Sequence, residues 1–377
     1  MYRHRLKKHA APARKNLPTE LEKGREQGYR DGYEEGYLRG RASYIVRKPK
    51  PDFPKRQLHV LYVTSGKGYP YSPIDEGIEA TLRSLVADVT VTTPVQSVTE
   101  LVQETRPDMM LVLDGMEMPL ETVDSIRSCG VKTAIWLTDD PYYTDRTLEI
   151  ARHYDYVFTL ELNCVNFYRQ HGCANVFYLP FGAFTEHYRP TLERSAIRRN
   201  ISFVGSGYWN RVNFFRPVIG ELMNRGLHIS GIWWDRLPEA SNYPGQVELG
   251  KWMEAAETAR TYSGSKLVIN LHRAHDDEQI NNNSLGLEAI SPNPRTFEIA
   301  ASGTLQLVDA RTDLSRFYTP GVEIVTFSTQ QELLEKVDYY LTHEEERREI
   351  ALRALERTWS EHTYSHRLNE LVSLVME

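Results

Sequence analysis

From Leu58 onward, short runs of β-branched and aromatic residues alternate with longer amphipathic segments, and this alternation, broken once and then resumed, restricts the fold more than any other feature. The first series of strand candidates is Leu58–Thr64, Asp88–Thr92, Met109–Leu113, Lys132–Leu137, Tyr156–Leu160 and Val176–Leu179, with helical stretches such as Ile74–Leu85 and Leu120–Ser128 between them. Near-continuous apolar strands separated by helices call for a parallel sheet covered on both faces. The charged stretch Thr185–Arg199, which contains Pro190, stops the pattern. It resumes with Ile201–Val204, His228–Ile232, Lys266–Leu271, Thr304–Val308 and Glu323–Thr326. Helices Gln331–Leu341, Glu345–Trp359 and His366–Val375 close the chain, the last with Leu368, Leu371, Val372 and Val375 on one face. At 377 residues the chain exceeds one ordinary core. The expected fold is α/β, with two Rossmann-like domains over 57–190 and 191–360, a closing helix in 361–377 and an N-terminal helical extension in 1–56.

The extension differs in composition from the rest. Residues 1–56 carry sixteen Lys/Arg against seven Asp/Glu, whereas the whole chain has a formal charge of −6, so the body is acidic and a nucleic-acid partner is disfavoured. Residues 1–17 lack apolar periodicity and read as a solvated leader. From Thr19, which stands at capping-box spacing from Glu22, the series Glu22, Glu26, Arg30 and Asp31, Glu35, Arg39 have the i, i+4 order that favours a helix. Gly24, Gly28, Gly32, Gly36 and Gly40 oppose it, each at a cost of about 1 kcal/mol relative to Ala. Their regular spacing, beside Tyr29, Tyr33 and Tyr37, makes a surface that another backbone can approach closely. Residues 19–43 are therefore read as a helix packed on a second copy, giving a homodimer, or on the chain's own body; the competing reading is a flexible linker. The basic N-terminus is followed by no apolar signal core, and no stretch approaches the ~20 apolar residues of a membrane span, so a cytoplasmic protein is expected. Cys129, Cys164 and Cys173 form no C-x-x-C pair and are read as packing residues.

In open parallel sheets, ligands sit beyond the carboxyl ends of the strands, so polar residues there carry the functional expectation. Gly66 and Gly68 make a G-x-G without the third glycine of a dinucleotide fingerprint, which disfavours an oxidoreductase. The strand ending at Leu137 runs into Thr138-Asp139-Asp140-Pro141. Asp139 or Asp140 is the candidate general base for an attacking hydroxyl, the alternative being a helix cap. No second carboxylate or histidine stands at short ligand spacing, so no metal site is expected. In the second half, Gly205, Ser206 and Gly207 offer backbone N–H groups and Arg211 a charge for a diphosphate. Asn270 and His272 end a strand, and Asn293, Arg295 and Glu298 lie on a proline-defined loop entering a short helix, where a carboxylate can accept the hydroxyls of a ribose.

The run Asn293–Asp309, with Tyr339-Tyr-Leu-Thr-His and Ser360-Glu-His-Thr-Tyr-Ser-His-Arg-Leu, resembles the C-terminal domain of the CgeB-like spore-maturation glycosyltransferases. Trp136-Leu-Thr-Asp-Asp-Pro-Tyr and Tyr178-Leu-Pro-Phe-Gly are similar to the domain that precedes it there, and the resemblance spans residues 57–377. It implies a GT-B fold, metal-independent transfer from a nucleotide-sugar, expected to be a UDP-sugar and the only co-substrate, and a glycan or protein acceptor. It also implies that Glu298 is the ribose-binding glutamate. The first acidic position of the wider clan's E-x7-E pattern falls on Ile290, with Glu288 only nearby. A carbohydrate-binding or spore-surface scaffold of the same fold without turnover is the alternative function.

Overall fold

The computed structural model describes residues 17–191 and 198–377. The reading of residues 1–17 as a solvated leader lies, except for Leu17, outside the described residues. The first sheet comprises β1 (Arg56–Val63), β2 (Val86–Thr92), β3 (Met109–Leu113), β4 (Lys132–Trp136), β5 (Tyr156–Thr159) and β6 (Asn175–Tyr178). All pairs are parallel, in the order β2-β1-β3-β4-β5-β6. The second comprises β7 (Arg199–Val204), β8 (Leu227–Gly231), β9 (Val247–Leu249), β10 (Ser265–Asn270), β11 (Leu305–Asp309) and β12 (Val325–Phe327), also parallel, in the order β12-β11-β10-β7-β8-β9. Strand order thus reverses between β1 and β3 in one domain and between β7 and β10 in the other. These are the two places where the fold opens a crevice at the strands' carboxyl ends. The edge strand β9 has no counterpart among the sequence candidates, because three residues with one buried position leave no readable period.

The helices are α1 (Leu17–Arg47), α2 (Ser72–Leu85), α3 (Val98–Thr105), α4 (Leu120–Ser128), α5 (Thr144–Ala151) and α6 (Leu162–Gln170), followed by α7 (Trp209–Phe215), α8 (Ile219–Asn224) and α9 (Ala255–Ser263). Then come α10 (Pro294–Ala301), α11 (Gln330–Thr342), α12 (Glu344–Glu361) and α13 (Tyr364–Met376). The apolar stripe of α13 does not stay with the second domain. Leu368, Leu371, Val372 and Val375 are fully buried with Val60, Ile78 and Leu82 in the core of the first sheet, each worth about 1.5–3 kcal/mol relative to exposure. The chain crosses back at Ala183 and Thr363, where Gly182 permits the approach: a Cβ there would stand 2.5 Å from the carbonyl oxygen of His362.

Helix α1 starts at Leu17, two residues before the expected cap, and it docks on the second domain. Leu38, Ala42 and Ile45 pack with Leu352 and Leu355 of α12, while Arg41 pairs with Glu349 and Lys48 with Glu356. Residues 19–30 are exposed, and among the described residues no atom outside the helix's own backbone lies within 4 Å of where a Cβ on any of the five stripe glycines would be. Only the C-terminal half of the helix therefore packs on the body. Cys164 and Cys173 are buried in the first core, as expected, whereas Cys129 at the end of α4 is exposed.

Candidate active site

At the reversal point of the second domain, the turn after β7 is built by close backbone approach. The N–H groups of Gly205 and Gly207 donate to Ser230 O (2.9 Å) and Ile232 O (2.8 Å), so they are not available to a ligand as the sequence suggested. The glycines instead let two strand ends touch, since a Cβ on Gly207 would lie 2.6 Å from Trp233 O. The Ser206 N–H makes no hydrogen bond among the described residues.

Two guanidinium groups converge on Gly205: a Cβ there would lie 3.2 Å from both Arg211 Nη1 and Arg295 Nη2. Arg211 is buried, with Nε donating to Leu271 O (2.9 Å) and Nη1 to Ser206 O (3.0 Å). Burial and the neighbouring Arg295 lower its pKa to about 9. Arg295 forms no ion pair or hydrogen bond among the described residues. Two adjacent cations without a carboxylate between them form a site that favours an anion. One turn along α10, Glu298 is half-buried beside the Tyr188 hydroxyl, and burial pushes its carboxyl up to about 7 against the opposing effect of Arg295.

The other three candidates are turned inward. His272 is buried; its Nδ1 contacts Asp309 Oδ1 at 2.6 Å and its Nε2 accepts the Asn293 N–H at 2.9 Å. Asn270 Nδ2 reaches Asn293 Oδ1, Thr296 Oγ1 and Gln306 Oε1, each at 3.1 Å. The Asn293 side chain caps α10 by accepting from the Thr296 N–H at 3.1 Å. These residues shape the loop that carries Arg295 and Glu298 and have little capacity left for a ligand.

In the first domain, the adjacent aspartates part company. Asp140 is buried and accepts hydroxyls from Thr159 (2.6 Å), Tyr168 (2.8 Å) and Thr147 (3.2 Å). Burial pushes its pKa up to about 6 despite those bonds. Asp140 is thus a structural carboxylate binding β5, α5 and α6 together. Asp139 is half-exposed and faces the reversal point. Its Oδ2 accepts the Tyr71 hydroxyl at 2.7 Å and lies 3.2 Å from Thr138 Oγ1. Thr138 also donates to buried Asp114 at 2.6 Å, and Lys67 Nζ stands 2.6 Å from the other Asp114 oxygen and 4.6 Å from the centre of the Tyr71 ring. Sequence reading missed Lys67, Tyr71 and Asp114. Asp114 was findable as the first polar residue after the apolar β3, but Lys67 and Tyr71 lie in an irregular loop without periodicity.

The two sites face one another. Across the cleft the Tyr69 hydroxyl donates to Met253 O and its ring meets Trp252 edge-on at 5.7 Å, while Glu298 acts electrostatically on Tyr69. Arg273, from the loop after β10, lies over the rings of Tyr142 (4.3 Å) and Tyr208 (4.6 Å), one from each domain. That loop is anchored on the first domain: Glu161 Oε2 accepts the N–H groups of Ile290 (3.1 Å) and Ser291 (3.0 Å), and Asp145 accepts the Ser284 hydroxyl at 2.8 Å. The position where E-x7-E would carry a carboxylate is thus met by one from the other domain. Among the described residues, no group of three His, Cys, Asp or Glu is arranged to hold a metal ion, and no helix is long and apolar enough to cross a membrane.

Comparison with known proteins agrees with this architecture. A glycosyl transferase-like family matches residues 211–373. The chain is 26% identical to the spore protein CgeB of Bacillus subtilis over 296 residues, covering 78% of this chain and 91% of that protein. Among solved structures, the Anabaena protein HepE in complex with UDP and glucose superposes with a TM-score of 0.58 at 12% identity, over 85% of this chain and 99% of that one. Sucrose-phosphate synthase from Thermosynechococcus elongatus gives 0.59 at 9% identity, over 85% and 98%. The chain is thus similar to the CgeB-like glycosyltransferases and has the two-domain GT-B fold.

Proposed function

We propose that the protein transfers a sugar from a UDP-sugar to a hydroxyl of a glycan or protein acceptor. The observation that carries this reading is the convergence of Arg211 and Arg295 on Gly205, at the reversal point of the second domain and beside Glu298. The diphosphate lies against the two guanidinium groups, and the ribose hydroxyls donate to Glu298. As the bond from the sugar to the β-phosphate breaks, charge grows on the leaving oxygen, and cations fixed in place stabilise it without reorganising. Asp139, with one oxygen that no donor reaches among the described residues, takes the proton of the acceptor hydroxyl, whereas Asp140 only supports the fold. UDP is favoured among nucleotides because HepE was solved with UDP and glucose and shares the fold. The co-substrate requires no resident cofactor, and the site works in the cytoplasm, where nucleotide-sugars are available. A thermal-shift screen across nucleoside diphosphates and nucleotide-sugars tests the donor: at 100 times its Kd the right ligand adds about 2.7 kcal/mol of stability. A flat response to every UDP derivative would exclude a UDP-sugar donor.

The dimer through residues 19–43 belongs to the same reading. Among the described residues nothing outside the helix itself lies against the glycine stripe, Tyr29, Tyr33 and Tyr37 are exposed at 77%, 67% and 61%, and a helix so poor in intrinsic propensity gains stability from a partner helix.

A further inference from the structure

We propose that Tyr71 is a positioning residue that ties one carboxylate oxygen of Asp139 to the protein and leaves the other for the acceptor hydroxyl; this rests on the reading of Asp139 as the base. The Tyr71 hydroxyl donates to Oδ2 at 2.7 Å, and among the described residues no donor reaches Oδ1. One carboxylate oxygen is thereby tied to the protein and the other is left for an incoming hydroxyl.

The donor is a permanent one. Burial and the charge of Asp139 push the Tyr71 phenol far above its ordinary value, so it keeps its proton wherever the protein is folded. Lys67 Nζ, 4.6 Å from the ring centre, draws electron density from the phenol and strengthens the O–H as a donor. Lys67 is in turn held by Asp114, whose second oxygen receives the Thr138 hydroxyl. The charged and titratable groups around Asp139 are thus Lys67, Tyr71 and Asp114 on the strand ends of its own domain, Tyr143 beside Tyr71, and Arg273 from the facing domain. No proton leaves Tyr71 in this scheme; it fixes the orientation of the carboxylate, and Asp139 alone takes the proton.

The test uses the full chain with its aspartate carboxyl carbons labelled with ¹³C, the Asp139 signal being assigned by its disappearance in Asp139→Asn. Tyr71→Phe keeps the ring under Lys67 and removes only the hydroxyl. Its Asp139 carboxyl signal should move from the wild-type position at fixed neutral pH, because the hydrogen bond to Oδ2 is lost. Replacing Tyr71 with 3-fluorotyrosine, a stronger donor of nearly the same size, should move the signal the other way and guards against a Tyr71→Phe chain that fails to fold. Signals equal to wild type in the folded variants would overturn the proposal. In parallel, kcat for UDP release from UDP-glucose should fall in Tyr71→Phe while the KM for UDP-glucose stays level. Unimpaired release by Asp139→Asn would instead sink the reading of Asp139 as the base, and with it the role of Tyr71, whereas an inert Asp139→Asn beside a Tyr71→Phe with wild-type signal and kcat would sink the role of Tyr71 alone.

Discussion

Nδ1 of His272 lies 2.6 Å from Asp309 Oδ1, and the opposite ring nitrogen accepts the backbone N–H of Asn293. Only the neutral ring with its proton on Nδ1 satisfies both contacts, and burial holds the imidazole below its ordinary pKa. The ring therefore links β10 and β11 to the loop that presents Arg295 and Glu298. His272→Ala leaves the Asn293 N–H without a partner and should cost about 1–3 kcal/mol in chemical denaturation. Its donor KM should rise more than its kcat falls. An equally stable variant with unchanged KM would show that the ring positions nothing. Because the folded pKa is the lower one, this histidine's contribution is fully present above the ordinary value of about 6.5 and is lost as pH falls.

Glu298 has the opposite sign. Its carboxyl is pushed up to about 7 by burial, so between the ordinary carboxyl range and about 7 the folded chain holds a proton that the unfolded chain releases. Stability should therefore decline as pH rises through that window, and the decline should be shallower in Glu298→Gln. Binding of UDP-glucose, which prefers the ionised carboxylate, should strengthen from pH 6 to pH 8 in wild type and stay level in Glu298→Gln. Parallel calorimetric curves for the two proteins would remove Glu298 from the donor site.

The two arginines separate binding from folding. Arg295 makes no hydrogen bond or ion pair among the described residues, so Arg295→Ala should weaken UDP binding by roughly 10–100-fold, the worth of a charge-assisted contact, with little change in Tm. Arg211 holds Leu271 O and Ser206 O, so Arg211→Ala should lower both affinity and stability. Equal UDP affinity in wild type and Arg295→Ala, measured by calorimetry, would contradict the diphosphate assignment.

The layered architecture was legible because parallel strands buried on both faces read as unbroken apolar runs, and β3 matches its sequence candidate at both ends. The return of α13 to the first domain was not: an apolar stripe says that a helix is buried, not which sheet it covers. Asp139 and Asp140 were found together, since both end one strand, but which carboxylate was free depended on Thr147, Thr159 and Tyr168, and the last of these is 28 residues away. Asn270, His272 and Asn293 were placed correctly at strand and loop ends. Their side chains turn toward one another, and that direction is set by contacts between β10, β11 and α10. Tyr71 gave no signal, because its value lies wholly in its distance to Asp139.

Helix α1 offers a prediction independent of the site. Light scattering should report a dimer for the full chain and a monomer for a chain starting at Pro51. Replacing Gly28, Gly32 and Gly36 by Leu raises helix propensity by roughly 1 kcal/mol per position yet blocks close approach, so the dimer should weaken while the helix strengthens. A full-length monomer would leave the stripe without a partner and end this part of the account.

Release of UDP from UDP-glucose, followed for wild type and Asp139→Asn, tests the central claim most directly. The account predicts release by the wild type, a drop of about 10²–10⁴-fold in the variant, and equal UDP affinity for both proteins by calorimetry. Undiminished release by Asp139→Asn, or a wild type that binds UDP yet releases none from any UDP-sugar with any hydroxyl acceptor, would contradict it.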